Sequence, residues 1–140
     1  MKPIKIFSIL LMLCLGIATV ATAQPAAVKK AANTTFTLTT FDAKGSILST
    51  SNGVFVSNNG ICVSTWKPFV GAMKAEVTDN NGQKYSVETI LGANELYDVA
   101  KFKITAKTNA ALFAPSVVAN SAAWIVMPSQ AGAPIKANID

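Results

Sequence analysis

The chain has 140 residues, of which 51% are hydrophobic and 14% charged, a balance that suits a packed core or a membrane segment and excludes a wholly disordered chain. Its formal charge of +5 is carried by lysine alone, so the bidentate contacts that arginine makes to phosphate and guanine are missing and nucleic acid is not an expected partner. There is no histidine, which removes His-ligated metal sites and every histidine-assisted nucleophile, and no cofactor or metal is expected.

In chain order, Lys2 and Lys5 precede an apolar run from Ile6 to about Val20, followed by Ala21-Thr22-Ala23. Charge, apolar stretch and small-residue exit stand in the order of a secretory signal, with cleavage expected after Ala23. The run is short against the roughly 20 residues of a retained membrane anchor. Cys14 lies in mid-run behind Leu13 and not at its end behind a small residue, which argues against lipid attachment. The expected organisation is therefore a signal peptide at 1–23, an exported chain with no membrane contact after cleavage, and a periplasmic or secreted location. Only Cys62 then remains, so no internal disulfide is available and stability has to come from packing.

Residues 24–33, "QPAAVKKAAN", read as a flexible lead-in, with a short helix at the lysine pair as the alternative. From residue 34 a period of two sets in. "TTFTLTTF" (34–41) places Phe36 and Leu38 on one face between threonines, as in a half-buried strand. Asp42-Ala43-Lys44-Gly45 reads as a turn, and residues 46–56 as a second strand with a bend or bulge expected at Ser51-Asn52-Gly53. Asn58-Asn59-Gly60 signals a hairpin into "ICVST", with a two-residue connection expected. "KAEVT" (74–78), the turn at Asp79-Asn80-Asn81-Gly82 and "QKYSVETIL" (83–91) form a second hairpin, Tyr85, Val87, Thr89 and Leu91 sharing a face. "DVAKFKI" (98–104) alternates Ala100, Phe102 and Ile104 inward. Residues 105–122 lack a period, and "AWIVM" (123–127) is one more short strand with no evident sheet to join.

Six strands with unpaired edges would be an aggregation template, and closure into a barrel removes the edges. The expected fold is thus all-β: a six-stranded antiparallel barrel over 34–104, followed by a connector and orphan strand at 105–140.

Ser64-Thr65-Trp66-Lys67 has the S-x-x-K spacing with which penicillin-binding enzymes place a serine beside a lysine. That arrangement needs a helical turn. Here the serine ends a strand, Pro68 disfavours the helical conformation at Lys67, and the companion S-D-N and K-T-G elements are missing, so the dyad is rejected.

A broader resemblance runs from Gly53 to Ile104. "NGVFVSNNGICVSTWKPFVGA", the turn "TDNNGQKY", the strand end "ILGANELY" and the run Asp98-Val99-Ala100-Lys101-Phe102-Lys103-Ile104 together resemble the first barrel of trypsin-like serine peptidases, in their HtrA-like branch. "AAWIVMPSQ" is similar to the opening of that family's second barrel. The resemblance implies that Asp98 matches the triad aspartate, that Lys67 stands at the histidine position, and that the nucleophilic serine belongs to a G-(N/D)-S-G-G stretch which this sequence lacks. No catalytic set is intact, since an ammonium has donors only and cannot take the hydroxyl proton. A partly exposed Lys67–Asp98 ion pair, or no meeting at all, is expected.

Three functional readings follow. The first is an exported, non-catalytic peptidase-related barrel that binds or scaffolds a protein or peptide through an exposed strand edge. The second is the N-terminal fragment of a serine endopeptidase whose other barrel supplies the nucleophile. The third is an unrelated small periplasmic β-barrel adaptor. Trp66, Trp124 and Cys62 are read as packing residues, the thiol as unreactive.

Overall fold

Alternation along the strands decides the architecture. In β1 (Thr35–Phe41) the buried positions are Phe36, Leu38 and Thr40, with the intervening residues half-buried. In β6 (Val99–Ile104) they are Ala100, Phe102 and Ile104, with the intervening residues exposed. β2 (Ile47–Phe55), β3 (Ile61–Ser64), β4 (Lys74–Asp79) and β5 (Lys84–Asn94) complete a closed antiparallel barrel in the order β1-β2-β3-β6-β5-β4. The computed structural model describes residues 26–128 and 133–140, so the expected signal peptide lies outside the described residues.

The barrel is filled by side chains. Phe36, Leu38, Val77, Phe102 and Ile104 are inaccessible to solvent, and Phe55, Cys62, Ala75 and Ala100 join them in one cluster. Phe36 packs on Phe55 with ring centroids 4.8 Å apart and edge-on to Phe102 at 5.9 Å. Burying each such side chain contributes about 1.5–3 kcal/mol, which replaces the missing disulfide as the source of stability.

Both expected hairpins form, β2 with β3 and β4 with β5. The turns after β1 and β4 are built alike. Asp42 Oδ1 accepts the amides of Lys44 and Ser46, and Asp79 Oδ1 those of Asn81 and Gln83. Gly45 and Gly82 close the two turns at φ +79°, where a side chain is disfavoured. The repeated D-x-x-G spelling is therefore one device used twice: a tight turn ended by a left-handed residue.

Several details differ from expectation. β2 runs without interruption through Ser51-Asn52-Gly53, and its irregular pairing with β1 falls at Thr40/Phe41 instead. Gly53 serves close packing, since a Cβ there would meet Phe36 Cζ at 2.2 Å. The β2–β3 connection is longer than two residues. Val56 donates to the Ile61 carbonyl, Ser57 and Asn59 bond to each other inside the loop, and Gly60 takes φ +84°. In β5 only Tyr85 and Val87 are half-buried, while Thr89 and Leu91 are exposed. Register shifts at Val87/Thr89 and Ile90/Gly92 break the alternation, because a one-residue slip turns side chains to the opposite face.

The lead-in carries α1 (Ala26–Ala32), the second of the two conformations considered, held by burial of Val28 and by Asn80, which donates to the Ala32 carbonyl. Beyond an irregular connector, β7 (Ala122–Ile125) is not an orphan. It pairs antiparallel with β8 (Ile135–Asn138), a strand not anticipated in the Pro/Gly/Ala-rich end. Trp124 and Lys136 are cross-strand partners in that pair.

Candidate functional site

One end of the barrel brings the two family-matched positions together. Asn94 ends β5 and its Oδ1 accepts the Tyr97 amide, while the Asp98 amide donates to the Glu95 carbonyl. This tight turn delivers Asp98 at φ +52°, a left-handed conformation that aspartate tolerates better than most residues. Across the barrel wall β3 ends at Ser64, and Trp66 leads into a 3₁₀ turn over Lys67–Phe69.

The half-buried Asp98 carboxylate joins the two segments. Its Oδ1 accepts the Trp66 amide at 2.9 Å and the Lys67 amide at 2.7 Å, and the Trp66 amide also approaches the Asp98 carbonyl at 3.3 Å. An ionised acceptor on two backbone donors is among the stronger hydrogen-bond arrangements, and it pins the backbone of residue 67 against residue 98. The Lys67 side chain is exposed. The expected alternatives for this pair were a side-chain ion pair or no meeting at all, and the geometry is neither: the carboxylate holds the lysine's backbone. Among the described residues the ion pair is Lys74–Glu76, at 2.7 Å.

Pro68 does not break the turn. It sits buried in the first turn of the 3₁₀ segment, where a proline costs no intrahelical hydrogen bond, and the two bonds to Asp98 hold the preceding residues in place. The serine of the S-x-x-K spacing nevertheless stays in the strand. Ser64 is 7% exposed; its Oγ donates to the Asn52 carbonyl at 2.7 Å and lies 3.2 Å from Ser51 Oγ. No hydrogen bond links it to Lys67, so the hydroxyl is a structural group without a base.

Trp66 stacks on Phe69 at 6.1 Å, and Phe69 meets Phe102 edge-on at 5.2 Å. The indole thus closes this end of the core. Cys62 is fully buried, its Sγ 3.6 Å from the Gly60 carbonyl, and burial pushes its thiol up to about 12. That is far from the lowered range of reactive cysteines.

Among the described residues no group of three or more His, Cys, Asp or Glu side chains could hold a metal ion. No described helix is long and apolar enough to cross a membrane. Sequence reasoning singled out Asp98 and Lys67 and left open whether they meet; it missed Asn94, whose capping role was legible in the Asn-x-x-Tyr turn. It also missed that Asp98 works through main-chain donors, which leave no trace in side-chain identities.

No family model matches the chain, and no curated protein matches it by sequence. Among solved structures it is similar to the serine endoprotease from Yersinia pestis, at 24% identity with a TM-score of 0.53 over 60% of this chain and 31% of that one. The likeness is one of fold: the barrel has the trypsin-like architecture. The chain spans about a third of the length of that structure.

Proposed function

We propose that this chain is an exported module related to the HtrA-like peptidases which binds or scaffolds protein and does not itself cleave peptide bonds. The observation that carries the reading is the pair of hydrogen bonds from the Lys67 and Trp66 amides to Asp98 Oδ1. They bring the residue matched to the triad aspartate against the residue matched to the triad histidine, and that residue is a lysine. An ammonium offers donors and no lone pair, so it stabilises a neighbouring carboxylate without accepting a proton from an attacking hydroxyl. The sequence contains no histidine to take over the task.

Binding through an added strand needs an unpaired edge. The closed barrel offers none, whereas among the described residues β7 and β8 pair only with each other, so the peptide-accepting edges of this proposal are those of the C-terminal hairpin. A fluorophosphonate probe tests the reading. The expected result is no covalent labelling of the purified chain at neutral pH. Labelling at a serine, abolished by replacing that serine with alanine, contradicts it and favours the reading of an endopeptidase fragment.

A further inference from the structure

The barrel end opposite Asp98 carries a second feature, independent of the peptidase resemblance. The starts of β1 and β5, the ends of β2 and β4, and the chain beyond β6 converge there around two hollows of about 270 and 310 Å³ that share Asn33 and Asn109. Each lies near the lower limit of small-molecule sites, about 300 Å³. Their size is that of one ring with its substituents, and the shared residues make them adjoining compartments.

Five of the thirteen lining residues are asparagines. Asn58 Oδ1 is committed to the Ala110 amide, and Thr108 Oγ1 to the Ser57 carbonyl and the Gly60 amide. These bonds fix the wall. The exposed side-chain amides of Asn33, Asn81 and Asn109, in contrast, make no hydrogen bond among the described residues. Asp79 adds a carboxylate whose Oδ1 is spent on its own turn. The phenol of Tyr85 is raised first by partial burial and then by the charge of Asp79 and a side-chain hydrogen bond to it. Tyr85 therefore keeps its hydroxyl protonated at neutral pH, and its half-buried ring lines the first hollow.

We propose that these two hollows form a binding site for a short, neutral oligosaccharide, two rings long. Free amides that both donate and accept match hydroxyl and acetamido groups. With one carboxylate, Asp79, and one ammonium, Lys107, in its lining the first hollow carries no dominant charge, and the half-buried Tyr85 ring supplies a small apolar surface for the C–H face of a sugar ring. A peptide is the less favoured occupant. Every barrel strand at this end is paired on both sides, so an extended backbone finds no ladder to join.

The test is an NMR titration of the ¹⁵N-labelled full chain with N,N′-diacetylchitobiose, cellobiose and maltose, and with the blocked peptide acetyl-Ala-Ala-Ala-amide as a control. At least one disaccharide is expected to give saturable shifts confined to the amides around residues 33, 79–85 and 107–109. Loss of one bonding amide in Asn33→Ala or Asn109→Ala is expected to weaken that binding about tenfold. The dispersion of the remaining spectrum, which reads the fold, should stay unchanged in both variants. Saturation by none of the sugars, affinity unaffected in both variants, shifts centred on residues 66–69 and 98, or equal shifts with the peptide would each overturn the assignment.

Discussion

Asp98 commits its side chain to the backbone of a neighbouring strand end. Its carboxylate is half-buried and carries two main-chain bonds, so its local task is to clamp the end of β3 to the start of β6. Replacing it with alanine removes the acceptor and leaves an alanine at φ +52°. The expected loss is about 1–3 kcal/mol, read by urea denaturation. Asparagine retains an oxygen acceptor and tolerates that backbone conformation, so Asp98→Asn is expected to cost less than Asp98→Ala; equal loss in both would show that the carboxylate charge, and not the acceptor, holds the clamp. Cys62 permits a second statement at this scale. The folded thiol keeps its proton to about 12, against an ordinary value of 9.0. The folded state therefore binds the proton more tightly than the unfolded state above pH 9.0. The corresponding stability is complete below 9.0 and is lost as pH rises towards 12. A disulfide-forming chromogenic reagent at pH 8 is expected to leave the native thiol untouched and to react fully in guanidinium chloride, and Cys62→Ala should show a flatter alkaline decline of stability. Rapid reaction in the native state would place the sulfur at the surface.

At the scale of elements, the strands were legible because their composition and alternation agree. Phe36-x-Leu38 and Ala100-x-Phe102-x-Ile104 have one wet and one dry side, and the structure buries those residues. What escaped the sequence has physical reasons. The register shifts in β5 depend on how a long strand wraps around two differently placed neighbours, β4 and β6, and no local property of "YSVETILGAN" encodes that. β8 lies in "IKAN", too short to show a period, and exists through its pairing with β7. Gly53 illustrates the opposite error. Read locally it marks a bend, whereas its role is to let the Phe36 ring lie on the strand. Gly53→Ala would put a methyl group at 2.2 Å from Phe36 Cζ and 2.7 Å from the Val63 carbonyl. The expected destabilisation is about 1–3 kcal/mol, as for other overpacked sites, measured as a lowered denaturation midpoint with the denaturant slope unchanged. A midpoint equal to that of the parent would mean that the ring has room to move aside.

For the whole molecule the candidate site was legible by address and not by mechanism. Asp98 and Lys67 were picked from their order in a family-like pattern, and the fold brings them together, but the device joining them is main-chain hydrogen bonding. The architecture also separates a closed barrel from a two-stranded hairpin whose outer edges are open. A lone hairpin is marginal in water, so amide hydrogen exchange is expected to be slow across β1–β6 and markedly faster across β7 and β8. Uniform protection would mean that the hairpin is docked or paired with a second copy.

The central claim is that the barrel preserves the place of a catalytic pair without its proton acceptor. Mass-spectrometric detection of peptides released from casein tests it most directly, on the purified chain alone at neutral pH. The account predicts no release above a buffer control, either for the parent chain or for Asp98→Ala. Peptides that accumulate linearly with time, and disappear when Asp98 or Lys67 is replaced by alanine, would contradict it.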